Sequence, residues 1–135
     1  MRCLAMQLDV QAALVDEVVH VNLSGPDRSM LLSNSAAVLN SMEYLVNKVF
    51  RPGRDQRIPA IVLDSENYRQ HREAELVLLA QMASKKVIAQ RQPLSLQPMT
   101  PKERRIVHLT LATIEGVRSE SQGDGDNRSI TIYPS

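Results

Sequence analysis

Cysteine, aromatic residues and long apolar runs are all scarce in this sequence. Its 135 residues include one cysteine, no tryptophan, one phenylalanine and three tyrosines. The lone Cys3 excludes an internal disulfide framework and a zinc cluster built on paired cysteines. The longest apolar runs, such as Leu76–Ala80, are a few residues long, whereas a membrane-spanning helix needs roughly 20. We therefore predict a protein without membrane insertion.

An excess of charge of one sign and a recognisable catalytic motif are missing too. The chain has 16 lysines and arginines against 15 aspartates and glutamates, a net charge of +1, so any site for a polyanion has to be local. There is no nucleophile elbow, H-E-x-x-H helix, P-loop or Rossmann glycine pattern. The first ten residues have no signal-peptide core or cleavage pattern. We expect a cytoplasmic protein that is not an enzyme and holds no metal or cofactor.

The sequence does contain the residue mixture of a folded protein, with 43% hydrophobic and 23% charged residues. In its first part, Val19, Val21 and Leu23 alternate with polar residues, which indicates a half-buried strand. Helical periodicity over Met30–Phe50 is interrupted at Ser33–Ser35, residues that prefer turns, so two helices are predicted there. The predicted order is a helix (1–8), a hairpin of two strands turning at 15–17, a turn (25–27), the two helices and a strand (58–63).

The second part begins with the clearest helix of the chain, over residues 65–89. Thr100, Pro101 and Glu103 form a strong start signal for another helix, with threonine as N-cap and glutamate completing a capping box. The predicted order is helix (65–89), edge strand (93–97), helix (101–115) and a hairpin of two strands (117–121 and 129–133). The whole chain is therefore predicted to be an α+β protein made of two small α/β units, residues 1–64 and 65–135.

The first unit resembles a type II KH domain, whose signature is a G-x-x-G turn between two helices. The tetrapeptide at that place here is Ser33, Asn34, Ser35 and Ala36, so both glycines are replaced. Glycines let a nucleotide backbone approach the turn closely, so their loss predicts a weakened RNA clamp or a unit kept as a packing and dimerisation scaffold. The alternative is that Asn34, Ser35 and the backbone N–H groups still hold one phosphate.

The second unit contains Arg104 and His108, four residues apart on one helix face. This spacing resembles the R-3-H domain, a single-stranded nucleic-acid-binding module named for that arginine and histidine. Together with Asp64–Arg72, Leu96–Met99 and Gly116–Gly123, it makes most of the chain similar to the Jag (SpoIIIJ-associated) family of bacterial cytosolic RNA-binding proteins, in which a KH domain directly precedes an R-3-H domain.

The resemblance implies binding of single-stranded RNA or DNA, with a post-transcriptional or cell-envelope-related regulatory role. The candidate contacts are Lys102, Arg104, Arg105, His108, Arg118 and Arg128. Among the aromatics, Tyr44 and Tyr68 fall on apolar helix stripes and are expected in the core, which leaves Tyr133 for base stacking. The rival interpretation is a protein-interaction scaffold, with either a small KH-domain protein or a second copy of the chain as partner.

Overall fold

The first unit is built around a three-stranded sheet, as seen in a computed structural model that describes residues 6–54 and 57–135. Its elements are β1 (Asp9–Val15), β2 (Val18–Ser24), α1 (Arg28–Phe50), a 3-10 turn (Pro52–Arg54) and β3 (Ala60–Asp64). The strand order is β1-β2-β3, with β1 antiparallel and β3 parallel to β2. The turn residues Asp16 and Glu17 have φ of 50° and 62°, which suits a tight two-residue hairpin. The predicted hairpin is confirmed.

The interruption expected in the helical stretch is present inside α1. Ser33 is extended, with ψ of 155°, and Asn34, Ser35 and Ala36 have φ between 51° and 59°. Three successive left-handed residues cannot belong to a right-handed helix, so α1 consists of two helical segments joined by this tight turn. Ala36 nevertheless packs into the core of this unit with Leu23, Leu31, Leu39 and Leu63.

A polar network fastens the start of the next helix to the first sheet. The guanidinium of Arg69 donates to the Leu63 carbonyl, to Asn40 Oδ1 and to Glu43 Oε2 at 2.8, 3.0 and 2.9 Å. Glu43 Oε2 also accepts from the Leu63 N–H at 2.9 Å. The hydroxyl of the fully buried Ser65 donates to the Leu23 carbonyl at 2.6 Å. These bonds satisfy polar groups that would otherwise be buried without partners.

The second unit consists of two helices packed on a second three-stranded sheet. Its elements are α2 (Tyr68–Gln90), β4 (Leu94–Ser95), α3 (Pro101–Ala112), β5 (Val117–Gln122), a 3-10 turn (Gly125–Asn127) and β6 (Ser129–Pro134). The strands are all antiparallel in the order β4-β6-β5. The core residues are Leu76, Ala80, Ala83 and Val87 of α2, Val107 and Leu111 of α3, Ile130 and Ile132 of β6, and Met99. The predicted α+β class and edge strand are confirmed.

Several predicted boundaries differ from the structure. Met6–Leu8 are not helical, because the Gln7 N–H donates to Asp27 Oδ2 at 2.6 Å; the rest of the predicted helix over 1–8 lies outside the described residues. The helix expected from Ser65 begins at Tyr68, since Glu66 and Asn67 have left-handed φ of 49° and 60°.

The other differences concern α3 and one tyrosine. α3 ends at Ala112 rather than Glu115, because Thr113 and Ile114 donate three residues back, to Thr110 and Leu111. Tyr44, expected in the core, is 61% exposed, with Lys48 Nζ 5.5 Å from its ring centroid. Leu39 and Met42, which precede it in the same helical segment, face the core instead.

The first compact unit ends at Arg69 and the second begins at Gln70, inside the first turn of α2. No helix in residues 6–54 and 57–135 is long and apolar enough to cross a bilayer.

Candidate nucleic-acid interface

The start of α3 is fixed by a complete capping box. The Thr100 side chain accepts from the Glu103 N–H and Glu103 Oε2 accepts from the Thr100 N–H, both at 3.3 Å. The other Glu103 oxygen accepts from Arg72 Nε of α2 at 2.9 Å, and Glu103 is only 7% exposed. Because both carboxylate oxygens of Glu103 accept hydrogen bonds, the first turn of α3 is anchored to α2. This anchoring fixes the direction in which the following side chains of α3 project.

Arg104 is half-buried and bound to the backbone. Its Nη1 donates to the Met99 carbonyl at 2.5 Å and lies 3.4 Å from the Arg128 carbonyl. The guanidinium therefore links the backbone segment before α3 to the backbone segment before β6. Its remaining N–H groups have no hydrogen-bond partner among residues 6–54 and 57–135, so a planar, permanently charged donor is presented at this surface.

His108 lies one turn after Arg104 and contacts the sheet. Its Nδ1 is 2.7 Å from Ser119 Oγ on β5. Burial of the ring, together with the positive charge of Arg104, lowers the pKa of His108 from its usual value of 6.5. The ring is therefore neutral at pH 7, oriented by the serine and positioned beside an arginine.

Arg128 completes this cluster from the turn before β6. Its Nε donates to Ser121 Oγ at 2.8 Å and its Nη1 to the Gly123 carbonyl at 3.0 Å. Ser119 and Ser121 are two residues apart on β5 and so project from the same face. We call Arg104, His108, Ser119, Ser121 and Arg128 the α3–β5 surface. The two serines were not among the predicted site residues, although the alternation of small and charged residues in β5 is visible in the sequence.

The two other cations of α3 are solvent-exposed. Lys102 and Arg105 are exposed, and neither has an ion-pair partner within the described part of the chain. Arg105 lies three residues before His108 and so borders the α3–β5 surface, whereas Lys102 lies two residues before Arg104 and faces another direction. The structure therefore brings Arg105, but not Lys102, beside the cluster.

Arg118 lies on the opposite face of the sheet from His108. It is directly across from Tyr133 on β6, and its guanidinium carbon is 4.5 Å from the centroid of that ring. It also forms an ion pair with Glu120. Since successive residues of a strand point to opposite faces, Arg118 cannot join Ser119 at the α3–β5 surface.

The turn Ser33–Ala36 in the first unit offers polar groups but contains no charged residue. Ser33 and Asn34 are exposed, but the Ser33 hydroxyl donates to the Met30 carbonyl at 3.2 Å, and the Ser35 carbonyl accepts from Asn40 at 3.3 Å. The turn sequence itself contains no lysine or arginine. Within residues 6–54 and 57–135, no group of three or more His, Cys, Asp or Glu side chains is placed to hold a metal ion.

Comparison with known families decides the identity of the second unit. Residues 74–134 match the model of the R-3-H domain. The chain contains an R-3-H domain. All six basic and histidine residues predicted as contacts, from Lys102 to Arg128, fall inside the matched range.

Relatives extend the similarity beyond the R-3-H domain. The chain is 33% identical to the RNA-binding protein KhpB of Clostridium symbiosum over 129 residues, which are 96% of this chain and 58% of that protein. It is 28% identical to the RNA-binding protein KhpB of Bacillus subtilis over 133 residues, 96% of this chain and 62% of the relative. The chain therefore spans less than two thirds of these proteins' lengths. The homology to the Jag family is confirmed, while the KH domain stays a prediction.

Proposed function

We propose that the chain is a non-catalytic, cytoplasmic RNA-binding protein that acts as a post-transcriptional or cell-envelope-related regulator. In this proposal the R-3-H domain binds the phosphates of single-stranded RNA, or of single-stranded DNA, at the α3–β5 surface. The observation that carries the proposal is the convergence of Arg104, His108 and Arg128 on one side of the sheet. The relatives are RNA-binding proteins by name, which supports RNA as the ligand.

The chemistry of the three side chains suits a phosphate. Arg104 is positioned by two carbonyls and directs its remaining N–H groups outward, so it meets a phosphate with little loss of side-chain entropy. A neutral His108 that accepts from Ser119 at Nδ1 carries its proton on Nε2, where it donates to a phosphate oxygen. Arg105 adds a solvated charge at the border, and we assign Lys102 only long-range attraction.

A salt titration of binding tests the proposal. Fluorescence anisotropy with a labelled single-stranded RNA is measured for the wild type, Arg105→Ala, and Arg104→Ala combined with His108→Ala. Lys86→Ala, which removes one exposed charge from α2, is the matched control for Arg105→Ala. We expect the double variant to abolish binding at physiological salt, and Arg105→Ala to reduce the slope of log affinity against log salt by about 0.7.

Two results would overturn this assignment. One is a folded wild-type protein that does not bind RNA even at low salt. The other is an equal effect of Lys86→Ala and Arg105→Ala, which would mean that only total charge matters. Thermal unfolding of each variant separates lost contact from lost fold, because Arg104 also holds two carbonyls.

The second candidate function is a protein-interaction scaffold formed by the KH-like unit. The supporting observation is apolar exposure in a unit whose turn has no charge. Val10 and Leu14 on β1 are 65% and 67% exposed, and Leu45, Val49 and Phe50 at the end of α1 are 59%, 70% and 62% exposed. Partners of this kind are a small KH-domain protein or a second copy of the chain.

The two roles of this unit are separated by complementary variants. Ser33→Gly with Ala36→Gly restores both glycines of the G-x-x-G pattern, and a gain in RNA affinity would indicate a weakened clamp. Val49→Lys, at the most exposed apolar side chain of α1, should leave RNA affinity intact and reduce self-association measured by sedimentation, if the scaffold role holds.

A further inference from the structure

The outer face of the second sheet carries an ordered stack of a cation on an aromatic ring. Arg118 of β5 and Tyr133 of β6 are cross-strand neighbours, and the guanidinium lies 4.5 Å from the ring centroid. The pair is held from both sides. Glu120 binds the Arg118 guanidinium, and Gln122 Nε2 donates to the Tyr133 hydroxyl at 2.8 Å. Each planar group is therefore fixed at its edge, and the Arg118 side chain stays 55% exposed.

We propose that this pair is a base-stacking site, on which a nucleobase of the bound single strand lies against the outward face of the Arg118 guanidinium. The inference rests on the proposed function and adds a second contact to it. Arginine planes and aromatic rings both stack on bases, and a guanidinium already oriented by a ring and a carboxylate loses little freedom when a base covers it. The stack would then be base, Arg118 and Tyr133.

The site is distinct from the α3–β5 surface, because the two lie on opposite faces of β5. Arg118 is exposed on the outer face, while Ser119, the partner of His108, is half-buried on the helix side. β5 is also an edge strand, with β6 as its only neighbour in the sheet of the described chain. A single strand that crosses this edge can place its phosphates at Arg104 and His108 and a base on Arg118, without passing through the protein.

The outer face has the features of a site for bases rather than for more phosphates. The positive charge of Arg118 is offset by Glu120, so this face attracts a polyanion weakly. Glu120 and Gln122 border the stack with one acidic and one amide side chain, both able to reach hydrogen-bonding edges of a base. The chemical class of the ligand is therefore a planar heteroaromatic base, and the sugar–phosphate backbone is bound elsewhere.

The test compares two probes of equal length and charge. One is a labelled single-stranded oligodeoxyadenylate of about eight nucleotides, within the usual range for such sites; the other is its abasic counterpart. Affinities are measured for the wild type, Arg118→Lys, Tyr133→Phe and Tyr133→Ala. Arg118→Lys is the matched variant, because it keeps the charge and removes the plane. We expect the wild type to prefer the oligonucleotide with bases by at least about fivefold, the lower end of what one stacked base contributes.

The preference for bases should be lost in Arg118→Lys and largely lost in Tyr133→Ala, but kept in Tyr133→Phe, which retains the ring. Binding of the abasic probe should be unchanged in all three variants. A preference that survives Arg118→Lys, or a wild type that binds both probes equally, would overturn the stacking site while leaving the phosphate surface intact. A wild type that binds neither probe would overturn the proposed function and the stacking site together.

Discussion

His108 Nδ1 and Ser119 Oγ lie 2.7 Å apart and join α3 to β5. It is the only hydrogen bond between the imidazole and the residues that the structure describes, so it determines how the ring is turned. Its other ring nitrogen, Nε2, has no hydrogen-bond partner among the described residues, and Arg104 lies one turn earlier on α3. In the proposed function, this serine occupies Nδ1 and leaves Nε2 as the imidazole nitrogen that donates to a phosphate.

Removal of the Ser119 hydroxyl should weaken RNA binding only through His108. In Ser119→Ala we expect a loss of affinity of roughly three- to tenfold, since one side-chain hydrogen bond contributes about 0.5–1.5 kcal/mol. Anisotropy titrations in a double-mutant cycle with His108→Ala measure the coupling. If Ser119→Ala costs as much in the His108→Ala background as in the wild type, the serine acts independently of the ring.

The lowered pKa of His108 predicts a dependence of stability on pH. The folded state holds fewer protons than the unfolded state between the lowered value and 6.5, so the stabilising contribution is present above pH 6.5 and is lost as pH falls below it. Urea unfolding at neutral and mildly acidic pH should show a larger loss for the wild type than for His108→Gln. NMR titration of the ring should give a midpoint below 6.5; a midpoint above that value would contradict the assignment.

Replacement of Arg69 should destabilise the first unit. Arg69→Met leaves the Leu63 carbonyl and the Glu43 carboxylate without their charged donor, and we expect a loss of about 1–3 kcal/mol in the free energy of unfolding. Arg105→Met is the control, because that exposed arginine has no ion-pair partner in the described residues and should change stability by less than about 0.5 kcal/mol. Equal thermal shifts in both variants would argue against the network.

Glycine should stabilise the turn inside α1 and destabilise the helix around it. Ser35 has φ of 57°, so Ser35→Gly relieves a left-handed conformation and should raise the free energy of unfolding by up to about 1 kcal/mol. Ser41→Gly, the same change in the helical part of α1, should lower it by about 0.5 kcal/mol. Chemical denaturation of the two variants checks the opposite signs, and the same sign in both would contradict the turn geometry.

The sequence predicted most elements of the fold because they rest on local signals. The capping box at Thr100 and the break at Ser33–Ser35 follow from the preferences of single residues, and the hairpin turning at 15–17 follows from the alternation on either side of it; the structure has all three. The predicted start of α2 at Ser65 was wrong because it depends on a contact that is not local. Its hydroxyl is bound by the carbonyl of Leu23, a residue distant in sequence, and such a contact has no local signature.

The candidate site was predictable in part for the same reason. Arg104 and His108 share a helix face, which spacing alone indicates. Arg128 and Ser119 reach them through the register of β5 with β6, which sequence spacing does not determine. Arg118 was grouped with them because it lies in the same hairpin, although a one-residue offset from Ser119 places it on the other face of the sheet.

Alternation along β5 has a consequence for how related sequences can diverge. Residues 117, 119 and 121 face the helices, and residues 118, 120 and 122 face outward. A substitution on one face of β5 does not move the side chains on the other face, so the residues of one face can vary while those of the other are preserved. Insertion or deletion of one residue within the strand would instead turn every later side chain onto the wrong face. In related proteins, length variation should therefore be tolerated in the turn at 123–127 and absent from 117–122.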